Sequence, residues 1–108
     1  MTKASLTPEE FVQEFVALKD GLVQGYMNAP NLFPGGAAVE ALGLSSEQRT
    51  ALSDVLDTIL KDALYTVLLA LDGEVPLGAR QIAYTLRDGQ GNLLSGLLAG
   101  PAFEAFQE

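Results

Sequence analysis

Neither cysteine nor histidine occurs among the 108 residues, so any chemistry falls to carboxylates, tyrosines, hydroxyls and six basic side chains. Disulfides, thiol nucleophiles and cysteine-ligated metals are thereby excluded, and the commonest general base and the usual zinc ligands are missing. The most suggestive spacing is LRDGQGNLL, Leu86 to Leu94, where Asp88, Gln90 and Asn92 alternate as the oxygen ligands of a calcium loop do. Such a loop needs glycine at its sixth position and a bidentate glutamate at its twelfth. Counted from Asp88, those positions are Leu93 and Ala99. Both fail, and Asp-Gly and Gly-Asn between two apolar runs predict a tight turn instead.

Asp54 and Asp57 are the other pair able to act, three residues apart on one helical face, with Glu47 and Asp62 along the same polar side. A metal or acid–base role would need further converging ligands or a pocket that raises one pKa, and no Glu-x-x-His motif accompanies them. They read as a solvated face. Arg80 and Arg87 flank an alternating stretch and, with Arg49, are the only arginines. In an acidic chain they suit local pairing, or protection of a sheet edge, better than an anion clamp. Tyr65 and Tyr84 read as core residues with hydroxyls at the rim. No catalytic, cofactor-binding or metal-binding residue is expected, and no cofactor.

A formal charge of −8, from fourteen acids against six bases, opposes binding to nucleic acid, which requires a positive footprint. Its natural complement is a basic protein. Hydrophobic residues at 48% argue against disorder, and the length predicts a single domain over 1–108. The longest apolar run, ALYTVLLAL from Ala63 to Leu71, is about half of a membrane crossing and is closed by Asp62 and Asp72. MTKASLTPEEF has no apolar leader. Together these predict a cytoplasmic protein that does not act at a membrane.

The elements that must position these residues follow from capping and period. Thr7, Pro8 and Glu10 form a helix start, and Phe11, Phe15, Leu18, Leu22 and Tyr26 share one face, predicting a helix over about 8–27. Ala17, Gly21 and Gly25 recur every four residues, either as a groove for a second helix or as helix-weakening glycines. NAPNLFPGG reads as a loop, with AAVEALG as a short helix. Ser45 with Gln48 caps a long helix beginning near Glu47, whose apolar stripe includes Leu52, Val55, Leu56, Ile59, Leu60 and Leu64. Leucine and alanine outnumber β-branched residues in 63–71, and Asp72-Gly73 is a stop signal, so this helix is predicted to continue through the apolar run. Beyond it RQIAYTLRD alternates like a half-buried strand, NLLSGLLA is a second candidate strand, and GPAFEAFQE offers a terminal turn or two of helix from Pro101 with Phe103 and Phe106 as packing residues.

The predicted architecture is α+β: about three helices, the central one long, packed on a short antiparallel C-terminal β-hairpin or small sheet. A lone hairpin is marginal, which suggests support from the helices or from a second copy. In size, charge and lack of catalytic residues the chain is similar to small acidic immunity proteins and inhibitors, a similarity of class and not of motif. That similarity implies a non-catalytic interaction domain for a basic protein, carried by Asp54, Asp57 and Asp62 on the long helix and by Asp72, Glu74 and Asp88 near the hairpin. The alternatives are a homodimeric structural subunit with an apolar C-terminal interface around Leu94 and Leu97 and, last, a carboxylate-based ligand binder or enzyme.

Overall fold

The computed structural model describes residues 5–107; the leader reading at residues 1–4 and the final Glu108 lie outside them. Among the described residues four helices follow in order: α1 (Pro8–Asn28), α2 (Pro34–Ala41), α3 (Ser46–Leu71) and α4 (Ala99–Phe106). They group into two compact units, one running up to Val16 and resuming at Asp62, the other Ala17–Lys61, so that α1 and α3 each contribute to both.

The helix starts form through reciprocal caps. The Thr7 amide donates to Glu10 Oε1 at 2.9 Å while the Glu10 amide donates to Thr7 Oγ1 at 3.1 Å, and Ser45 and Gln48 repeat the arrangement at 2.9 and 3.2 Å. At the far end of α3, Gly73 takes φ +79°, its amide donates to the Ala70 carbonyl and the Glu74 amide to the Leu69 carbonyl. This double closure satisfies carbonyls that the ended helix would leave bare.

In the first unit Val12, Leu68, Leu98, Ala102 and Phe106 form the core, with Phe11, Phe15, Leu64, Tyr65 and Leu71 packed around it. Complete burial of Val12, Leu68 and Leu98 contributes about 1.5–3 kcal/mol per side chain relative to exposure. In the second unit Val23 is buried and the Tyr26 and Phe33 rings meet edge to face, centroids 5.8 Å apart. Gly25 does not end α1: a Cβ there would meet the Phe33 ring, so the glycine makes room for an aromatic side chain, not for a second helix.

Two expectations are corrected. Gly35 and Gly36 lie inside α2, because Pro34 supplies a pre-set first helical residue. Their role is close packing: a Cβ on Gly36 would stand 3.0 Å from the Ala29 carbonyl oxygen and from Pro30 Cα. The larger correction concerns fold class. The protein is all-helical, and the described residues contain no strand and no sheet, so the α+β architecture with its C-terminal hairpin is overturned. What stands between α3 and α4 is irregular chain with several turns and one isolated antiparallel bridge, Arg87 with Leu93.

The reason lies in where the backbone groups go. The Tyr84 amide donates to Leu71 at the end of α3, and Leu86 N–H donates to the Ser95 hydroxyl at 2.9 Å. Ser95 and Gly96 turn the second arm, and four residues after Ser95 the chain is already helical. Alternation of half-buried Tyr84 and Leu86 with exposed Ala83 and Thr85 survives, but it reports one-sided burial without a ladder. Ile82, which continues the Tyr84 and Leu86 alternation, is exposed.

Candidate functional site

The candidate site is built on the first half of α3, inside the Ala17–Lys61 unit. Leu52, Leu56 and Leu60, four residues apart, are half-buried and form the inward column. Val55 and Ile59, predicted to share the buried stripe, are 50% and 56% exposed. With Asp54 and Thr58 they line a shallow groove of about 270 Å³. Positions 54, 55, 58 and 59 make two adjacent columns on a helix, so the four side chains form one continuous patch. The Thr58 hydroxyl donates to the Asp54 carbonyl at 3.0 Å, which satisfies it within the helix. The patch is therefore apolar and β-branched, with one exposed carboxylate beside it. Sequence carried a signal for this: the α3 stripe has more apolar members than one helical face can bury.

The other predicted partner-binding acids have varied surroundings. Asp57 accepts a hydrogen bond from Lys19 Nζ at 2.6 Å, and Asp20 is also 2.6 Å from that ammonium. Lys19 is buried, which acts to lower its pKa, but the hydrogen bonds and attraction of Asp20 and Asp57 outweigh burial and hold the amine above its usual value. Reversing the charge of Asp57 would therefore strip a buried cation of one partner, so Asp54 is the cleaner probe of this face. Asp62 and Glu74 are exposed in the first unit.

Asp72 and Asp88 are engaged in holding the chain. Asp72 Oδ1 accepts from the Gly96 amide at 2.5 Å, and Oδ2 accepts from the Leu98 and Ala99 amides, both at 2.9 Å. Leu98 gives α4 no side-chain cap of its own, so the carboxylate at the end of α3 caps it from 26 residues away. Asp88 closes the turn of the LRDGQGNLL stretch: Oδ1 accepts from the Gln90 and Asn92 amides at 2.8 and 3.0 Å, and Oδ2 from Asn92 Nδ2 at 3.1 Å and the Leu6 amide at 3.3 Å. Both carboxylate oxygens are turned to these amide donors, three of the backbone and one of the Asn92 side chain. Among the described residues no cluster of three or more acids could hold a metal ion.

Desolvation acts to raise the Asp88 pKa, and the donors from Asn92, Gln90 and Leu6 outweigh it, leaving the carboxyl below its ordinary value. A folded pKa below the unfolded one adds stability above about pH 4, which is lost as pH falls through the folded value. Asp88→Asn is accordingly expected to lower Tm at pH 7 and to lower it less at pH 2. Thermal melts of both proteins at the two pH values check this; an equal gap at both would refute a charge-dependent turn.

No helix among the described residues is long and apolar enough to cross a membrane. No protein-family model matches the chain, and no curated protein or solved structure does so either.

Proposed function

We propose that the protein is a non-catalytic interaction domain of the cytoplasm that holds a basic protein partner, in the manner of an immunity protein or inhibitor, on the Asp54–Val55–Thr58–Ile59 stripe of α3. The observation that carries this reading is the paired exposure of Val55 and Ile59 beside Asp54. Two adjacent β-branched side chains half in water gain by being covered, which supplies affinity, while Asp54 and the net charge of −8 favour and speed approach of a basic surface. A stable complex needs a wider footprint, roughly 800 Å² on each partner, so the stripe is the centre of the interface and not the whole of it.

The test is co-purification from the native cell at low and high salt, comparing wild type with an Asp54→Lys/Ile59→Ser variant. Both residues are exposed, so stability should change by no more than about 0.5 kcal/mol per site. One basic protein should be retained in stoichiometric amount at low salt, less at high salt, and at least about tenfold less by the variant. Equal retention by the variant would refute the stripe. A second reading, self-association, is favoured by exposure of Leu93, Leu97 and Phe103 in the other unit, and a concentration-dependent mass would support it.

A further inference from the structure

The Ala17–Lys61 unit also contains a recess of about 310 Å³, separate in its residues from the α3 stripe, whose walls include Tyr26, Met27, Pro30, Glu40 and Arg49. That volume is at the small end of ligand sites and suits one small metabolite. Its two charged walls have opposite signs, yet no ion pair among the described residues joins Glu40 to Arg49. Arg49 is half-buried and is anchored by an Nη2 hydrogen bond donated to the Met27 carbonyl, which leaves its other guanidinium donors for a second acceptor.

The recess is pre-formed. Gly36 packs closely on the Ala29–Pro30 backbone, where a Cβ would stand 3.0 Å from the Ala29 carbonyl oxygen, and the Tyr26 ring is braced edge-on by Phe33 and by Gly35, where a Cβ would stand 2.8 Å from Tyr26 Cε1.

The chemistry of the walls selects the ligand. A simple anion attracted to Arg49 would approach a chain of net charge −8 and meet Glu40 as well. A ligand carrying both a carboxylate and an ammonium is neutral overall and answers both walls. Tyr26, Met27 and Pro30 offer apolar surface to the remainder. We infer that this recess binds a small zwitterion of the α-amino-acid type with an apolar side chain, its carboxylate on Arg49 and its ammonium on Glu40.

The experiment is an NMR titration of the full chain, following backbone amides, with L-leucine and L-methionine as probes. Two one-ended analogues accompany them: 4-methylpentanoate, which lacks the ammonium, and L-leucinamide, which lacks the carboxylate. Saturable shifts confined to residues 26–49 are expected with the amino acids, with affinity about tenfold or more weaker for either analogue and for Glu40→Gln with leucine. Glu40 is exposed, so this variant keeps the fold, which its own spectrum verifies. Absence of saturable shifts at millimolar amino acid would overturn the inference. So would 4-methylpentanoate binding as well as leucine, or an unchanged affinity in Glu40→Gln.

Discussion

Leu94→Asp is expected to unfold the protein, and Leu97→Asp, three residues further on, to leave it folded. The two leucines are equivalent in sequence, both within NLLSGLLA and both natural guesses for a subunit interface. In the structure Leu94 is 3% exposed and Leu97 58%. Removing the Leu94 side chain alone would cost about 2–5 kcal/mol, and a buried, unpaired carboxylate adds several more. Domains of this size have about 5–15 kcal/mol of stability in all, so Leu94→Asp should show no cooperative helical transition in urea near neutral pH. Leu97→Asp should shift the urea midpoint little, as a surface change does. It is then the usable probe of self-association: a mass that falls from dimer to monomer in Leu97→Asp would favour the homodimer reading. A well-folded Leu94→Asp would contradict the placement of that side chain.

Asp72→Ala is expected to destabilise the protein by about 2–4 kcal/mol, the sum of a lost helix cap and charge-assisted bonds to backbone donors. Three amides, of Gly96, Leu98 and Ala99, lose their acceptor at once, and Leu98 is a fully buried member of the core. The loss should fall on the Ala99–Phe106 helix first, because Leu98 supplies no cap in its place. Urea unfolding followed by circular dichroism gives the magnitude, and amide hydrogen exchange gives the location. Asp72→Asn, which keeps one carbonyl acceptor, should lose roughly half as much. A neutral Asp72→Ala would mean that the carboxylate does not hold α4.

Asp72 also shows what sequence could and could not disclose. The Asp72-Gly73 stop, the Thr7–Glu10 box and the Ser45–Gln48 box were legible because each is completed within a few residues, and the helix ends follow them closely. The cap that Asp72 places on α4 spans 24 to 27 residues and has no local signature. The strand expectation failed for a related reason. Alternation through Tyr84 and Leu86 records which side chains face inward, but a sheet also requires a partner with free backbone groups. Here the arms exchange the Asp88–Asn92 and Leu94–Leu86 bonds around one bridge, but the Leu86 and Tyr84 amides go to the Ser95 hydroxyl and the end of α3, so the pairing stops there.

The site was legible in part. The place of Asp54 on the polar side of α3 is plain from sequence, but the exposure of Val55 and Ile59 is not, because period alone ranks a stripe and does not measure its width. Gly35 and Gly36 read as loop because glycine marks both turns and tight packing. Only the neighbouring Tyr26 ring and the Ala29–Pro30 backbone distinguish the two.

The most direct measurement places a photo-crosslinking amino acid, p-benzoylphenylalanine, at Thr58 on the stripe and, as control, at Glu104 on α4, both exposed, and irradiates the native cell. A single adduct with a basic protein from position 58, and none from position 104, is the expected result. An adduct from position 104 with no adduct from 58, or an adduct at 58 with the mass of a second copy of this chain, would contradict the assignment of the α3 stripe to a basic partner.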